Sequence, residues 1–116
     1  MSLFKTTSLI SVIHTSDYER ALAWYQRWLG QPDEVPMEGM AEWQLMPSAW
    51  LQLDSSAPEK AGQSAVALGV DDVARCREAW LAAGVVAGEI ADYGFVQVCD
   101  AHDPDGNRVS LVQVSA

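Results

Sequence analysis

Two stretches of this chain are written to the same plan, and that repetition constrains the fold more than any other feature. Ser8 to His14 (SLISVIH) is short and rich in β-branched residues, which predicts a strand. Ser16 or Asp17 then caps a helix whose apolar residues recur at Tyr18, Ala21, Leu22, Tyr25, Trp28 and Leu29, until Gly30 ends it and Pro32 comes just beyond. Ser64 to Val70 (SAVALGV) repeats the strand, and Asp71 or Asp72 repeats the cap. Val73, Cys76, Trp80 and Ala83 repeat the stripe, and Gly84 ends it. From Asp17 to Gly30 is thirteen residues, and from Asp71 to Gly84 is thirteen again, at an offset of 54. Such self-similarity means two copies of one supersecondary unit.

The segments after each helix also match. Short strands are predicted at Glu34 to Met37, Ala41 to Met46 and Trp50 to Asp54 after the first helix. After the second they are predicted at Val85 to Glu89, Phe95 to Cys99 and Arg108 to Val114. The link Ser55 to Gly62 is small, polar and Pro-containing, so it joins the units. The expectation is one α+β domain over residues 1–116, made of two βαβββ modules at about 1–57 and 62–116. The strands would form a curved half-barrel sheet with the helices outside.

Composition limits the partners. Seven basic and sixteen acidic side chains leave a formal net charge of −9, which repels phosphate backbones and anionic lipid surfaces. It favours a cationic ligand as well as plain solubility. No apolar run approaches the ~20 residues a membrane helix needs. The first residues do not read as a signal peptide, and Cys76 and Cys99 form no CxxC pair. Free thiols in the cytoplasm are expected, with no nucleic-acid or membrane partner.

With the repeat in view, the sequence resembles the vicinal oxygen chelate superfamily, the glyoxalase, bleomycin-resistance and extradiol-dioxygenase group. The resemblance covers nearly the whole chain. It rests on Ser16-Asp17 through Leu29-Gly30, on Val70-Asp71-Asp72, and above all on Asp103-Pro104-Asp105-Gly106-Asn107 before an alternating strand. Alone, DPDGN is a turn, with Pro fixing φ and Asp, Gly and Asn accepting tight positions. Metal-using members of the group hold an ion with inward side chains from the first and last strand of each module. Here those positions resemble Ile10, Gln52, Ala65 and Ser110. Ile and Ala have no lone pair, and one amide with one hydroxyl supplies neither the charge nor the donor count of a divalent site. The resemblance therefore implies no metal and no cofactor in this chain.

Polar and aromatic candidates remain. His14 shares the face of Ile10 and Val12 by strand alternation, and its ordinary pKa suits a base. Asp54 shares a face with Gln52 and Trp50, where a carboxylate beside an aromatic ring suits a cation. Trp43, Trp50, Tyr93 and Phe95 are expected to face inward as stacking surfaces, with Gln52, Ser110, His14 and Asp54 orienting polar groups. Against this, a lone His at a strand end is most often bonded to backbone, and aromatics more often fill cores. Trp28 and Trp80 fit the buried stripes, whereas Trp24 falls off its stripe and is expected at an interface. His102 is expected exposed at a hairpin tip, and Cys99 buried. Nothing resembles GxSxG, HExxH, a Walker loop or a dinucleotide fingerprint.

The resemblance implies a metal-free binder of a small, antibiotic-like molecule, cationic or aromatic, similar to bleomycin-resistance proteins and assembled as a homodimer. The alternative is a glyoxalase-like lyase, isomerase or dioxygenase, using a shifted metal site or His14 with Asp54 as an acid–base pair. A third reading is a dimeric interaction module with a filled cavity.

Overall fold

A computed structural model describes residues 2–115. The first module runs β1 (Leu9–His14), α1 (Tyr18–Leu29), β2 (Met40–Met46) and β3 (Ala49–Asp54). A single 3-10 turn at Pro58–Lys60 comes next, inside the predicted link. The second module runs β4 (Ala65–Gly69), α2 (Val73–Ala82), β5 (Ala91–Asp92), β6 (Val96–His102) and β7 (Arg108–Val114). The sheets have the order β1-β3-β2 and β4-β7-β6-β5. In each, the strand before the helix lies parallel to the last strand, and the last two strands form an antiparallel hairpin. The duplication read from the helices is thus a duplication of the whole unit.

Local chemistry explains the boundaries. Asp17 and Asp72, rather than their neighbours, are the caps, each accepting from the backbone N–H three residues on. Beyond α2, the Val85 N–H returns to the Trp80 carbonyl around Gly84, whose φ of 82° an L side chain adopts only under strain. The strand predicted at Glu34 to Met37 shrinks to one bridge, Glu34 with Glu42, because Pro36 has no N–H to continue a ladder. The strand predicted at Val85 to Glu89 likewise shrinks to Ala87 with Ala101. The short β5 takes over as the outer edge of that sheet.

Strand alternation sorts the side chains. Ile13, Leu51, Leu53, Ala41 and Trp43 turn to the side of α1, where Tyr25 lies 5.9 Å from Trp43, centroid to centroid. Val109, Leu111, Cys99 and Ala101 do the same beneath α2, whose buried residues are Val73 and Trp80. The helices meet edge-to-face through Trp28 and Trp80 at 5.5 Å. Trp24 does not stay outside as expected. It is buried edge-on to Tyr25 at 4.7 Å, because the second module flanks α1 and widens its covered stripe.

The DPDGN turn does more than reverse the chain. Asp103, 4% exposed, accepts from the Tyr25 hydroxyl at 2.8 Å and from Asn107 and Asp105 within the turn. The Asn107 amide donates to the His14 carbonyl, and its oxygen accepts from the Ser64 N–H. Asp105 accepts from the Thr15 and Ser16 hydroxyls and from the Ser16 N–H. The turn therefore clasps the end of β1 and α1 to the second module. Burial pushes the Tyr25 hydroxyl far above its ordinary value, and the Asp103 charge adds to this.

At Asp105 burial opposes the charge, yet the Ser16 and Thr15 donors and Arg20 outweigh it and hold the carboxyl below the usual range. A depressed folded pKa contributes stability that is complete above the unfolded carboxylate value and lost as pH falls through the folded one. We expect Asp105→Asn to lower the urea midpoint most at neutral pH. The gap to the native protein should narrow once pH falls below about 4, where the unfolded carboxylate takes up a proton, and close only below the depressed folded value.

Candidate functional site

The residues that alternate with the core ones lie on the opposite, uncovered face of each sheet. In the first module they form three cross-strand rows: Ile10–Trp50–Gln44, Val12–Gln52–Glu42 and His14–Asp54–Met40. In the second module the rows are Ala65–Arg108–His102, Ala67–Ser110–Asp100 and Gly69–Val112–Val98. The four family ligand positions, Ile10, Gln52, Ala65 and Ser110, all fall on these inner faces.

The middle rows share one arrangement. Gln52 Nε2 donates to Glu42 Oε2 at 2.6 Å, and Ser110 Oγ donates to Asp100 Oδ1 at 2.6 Å. Glu42 and Asp100 stand 58 residues apart, as do Gln52 and Ser110, so the modules match residue for residue here. In both, the last-strand side chain orients a carboxylate on the neighbouring strand. Sequence reading missed Glu42 and Asp100 because it aligned the modules on their helices, at 54. The second module carries four more residues between helix and hairpin, and realigning on the strands would have paired the two acids.

These donors do not fit a divalent ion. Ile10 and Ala65 offer no lone pair, which leaves one amide oxygen at Gln52 and one hydroxyl at Ser110, neither the charge nor the donor count of a divalent site. Among the described residues no three His, Cys, Asp or Glu side chains converge to hold a metal.

The other candidates separate. His14 and Asp54 share a row, with Nδ1 and Oδ2 at 3.9 Å, too far for a hydrogen bond. Asp54 instead accepts from the Ser56 N–H and hydroxyl. The Ser56 N–H is the leading reason its carboxyl lies below its ordinary value; burial opposes, and the Ser56 hydroxyl, His14 and Lys60 assist. Trp50 is half-buried on the inner face. Trp43 is not there. It is 2% exposed, packs toward α1 and donates from Nε1 to the Gly30 carbonyl at 2.9 Å, so it cannot serve as the stacking wall expected of it. The cause is register, since Trp43 stands opposite Leu51, a core residue.

Tyr93 and Phe95 stand exposed at the β5–β6 turn around Gly94 and do not line the floor of the inner face within this chain. Val35 and Met37, 58 residues earlier, are exposed in the same way. Each module thus ends in an apolar tip, a pairing the realigned repeat would also have shown. His102 is exposed and Cys99 buried, as their sequence contexts suggest.

No family model matches the chain, and no curated protein does. Solved structures do. A glyoxalase/bleomycin resistance protein from Catenulispora acidiphila is 31% identical over 93% of this chain and 98% of its own, with a TM-score of 0.86. The chain is a member of the glyoxalase/bleomycin resistance superfamily. TnmS3, an antibiotic binding protein from Streptomyces, has the same fold at 21% identity, with TM-score 0.78 and 99% of each chain covered. So does a lactoylglutathione lyase from Agrobacterium tumefaciens, at 15% identity and TM-score 0.77, with 94% of each chain covered. A binder and an enzyme on one scaffold mean that the choice between them rests on the inner-face residues.

Proposed function

We propose that this superfamily member is a metal-free binder of a small organic cation with a flat apolar body, held on the inner faces and released unchanged. The observation that carries this reading is the pair of oriented carboxylates, Glu42 and Asp100, beside the two polar ligand positions. A carboxylate fixed by a neutral donor keeps its charge and spare lone pairs for a cationic hydrogen-bond partner. Ile10, Val12 and Trp50 supply apolar and stacking surface next to it. The net charge of −9 draws cations and repels nucleic acid. The antibiotic-binding relative supports a small-molecule ligand of this kind.

A homodimer is part of the proposal. Ile10 is 48% exposed and Ala65 and Ala67 also lie open, so each inner face lacks a cover that a second copy would provide. Two free thiols suit the reducing cytoplasm, and no helix of the described residues is long and apolar enough to cross a membrane.

The test is a titration with planar organic cations, read by tryptophan fluorescence, with the ligand then recovered and weighed by mass spectrometry. Quenching with unchanged ligand is expected. Glu42→Gln and Asp100→Asn should each weaken binding roughly tenfold to a hundredfold, the worth of a charge-assisted hydrogen bond. Turnover products, or equal affinity for an uncharged isostere, would overturn the reading. A glyoxalase-like reaction is the second reading, favoured by His14 and Asp54 sharing a row. It requires His14→Ala to abolish turnover while leaving binding intact.

A further inference from the structure

We infer that a second small-molecule site lies between the two helices, on the far side of the second sheet from the inner face, and that it takes an apolar body carrying a carboxylate. The site comes from a mismatch inside the repeat. At the helix offset of 54, Leu22, Tyr25 and Leu29 of α1 correspond to Cys76, Ala79 and Ala83 of α2. The large residues pack into the core beside α1, and the small ones leave space beside α2. The result is a cavity of about 400 Å³, within the range of small-molecule sites. Trp28 and Trp80 line it from the helix contact, and Leu68 and Leu111 from the sheet. These two leucines pair with one another and alternate with Ala67 and Ser110, so they belong to the sheet face opposite the inner one.

Two wall groups say what the cavity takes. The Trp28 indole nitrogen is buried and has no hydrogen-bond partner, whereas the Trp43 indole donates to the Gly30 carbonyl. Among the described residues one other buried side-chain polar atom lacks a partner, His14 Nδ1. An imidazole nitrogen can stand as an unprotonated acceptor, but an indole nitrogen always carries its hydrogen. Trp28 is therefore the donor that wants an acceptor. Leaving it unpaired in a buried place is costly, and a bound oxygen removes that cost.

Arg27 is the only charged residue of the wall, and it is exposed, so it stands at the cavity mouth. Its Nη1 donates to the Gly84 carbonyl at 3.2 Å, which anchors the guanidinium and leaves its remaining N–H groups for a ligand. No carboxylate among the described residues pairs with it. A carboxylate supplies what the two groups lack, an acceptor and a negative charge. The net charge of −9 opposes this little. No acid lines the cavity, and surface acids beyond about 8 Å are screened at physiological ionic strength.

The probe is octanoate, read in the indole N–H region of a nitrogen–proton correlation spectrum, where each of the five tryptophans gives its own signal. The Trp28 signal, identified by its loss in Trp28→Phe, is expected to move downfield as octanoate is added. The Trp50 signal, on the inner face, should stay in place. Arg27→Gln should raise the dissociation constant about tenfold, the worth of one charge-assisted hydrogen bond at an exposed group. Ala83→Leu, which restores the bulk of Leu29, should abolish the shift. The same spectrum reports whether that variant folds, and Ala79→Leu fills the same space if it does not. A Trp28 signal that ignores millimolar octanoate overturns the site. So does a shift that persists in the filled variant, or one confined to Trp50. Equal affinity for 1-octanol overturns the carboxylate. Each of these failures leaves the cation reading standing, since that one is tested at Trp50 with a different ligand.

Discussion

Asp103→Ala should destabilise the protein by about 3–6 kcal/mol, more than any other single surface or turn substitution, because it strands several donors at once. The native carboxylate is buried and accepts from the Tyr25 hydroxyl, the Asn107 N–H and amide, and the Asp105 N–H. Each donor left unpaired in a buried place costs about 1–3 kcal/mol, and Tyr25 and Asn107 are both fully buried. The loss also crosses the module joint, since Asn107 carries the hydrogen bonds to the His14 carbonyl and the Ser64 N–H. Urea unfolding followed by tryptophan fluorescence and by circular dichroism measures it. Tyr25→Phe is the control: it removes one donor, leaves the carboxylate its other three, and should cost about 1 kcal/mol. Equal losses in the two variants would mean that the turn does not act as a connected network.

This joint also marks the limit of what a sequence discloses. The pattern of DPDGN before an alternating strand is readable as turn chemistry, and it points to the superfamily. Its partners, Thr15, Ser16 and Tyr25, stand about ninety residues away in the chain for Asp105 and nearly eighty for Asp103. No local periodicity encodes such a meeting. The helices and the first and last strands of each module are legible because caps, stripes and β-branched runs are short-range signals repeated twice. The bridges at Glu34 and Ala87 read too readily as strands, because apolar residues in extended chain need not have a partner with a free ladder.

The inner face is half legible for the same reason. Strand alternation places His14, Gln52, Asp54 and Ser110 on one side from their neighbours alone. Glu42 and Asp100 need the correct alignment of the repeats, and the helix-based offset hides it. Cross-strand partners then change what the polar positions do: Gln52 and Ser110 hold carboxylates, and Asp54 holds the turn after its own strand.

The two strand tryptophans separate core from inner face in one measurement. Trp43→Ala should cost about 3–5 kcal/mol, since it opens a cavity against Tyr25 and removes the indole donor to the Gly30 carbonyl at the end of α1. Trp50→Ala, on the inner face, should cost about 1 kcal/mol or less, the scale of a cross-strand pair. Ligand binding should divide the other way. Quenching by an organic cation should survive in Trp43→Phe, which keeps the core filled, and fall away in Trp50→Ala. The physical cause is alternation: in Met40–Met46 the polar Glu42 and Gln44 flank Trp43, so the strand can show its acid to the inner face only by turning its tryptophan into the core. If Trp43→Phe lost the quench while Trp50→Ala kept it, the inner face would not be where the cation binds.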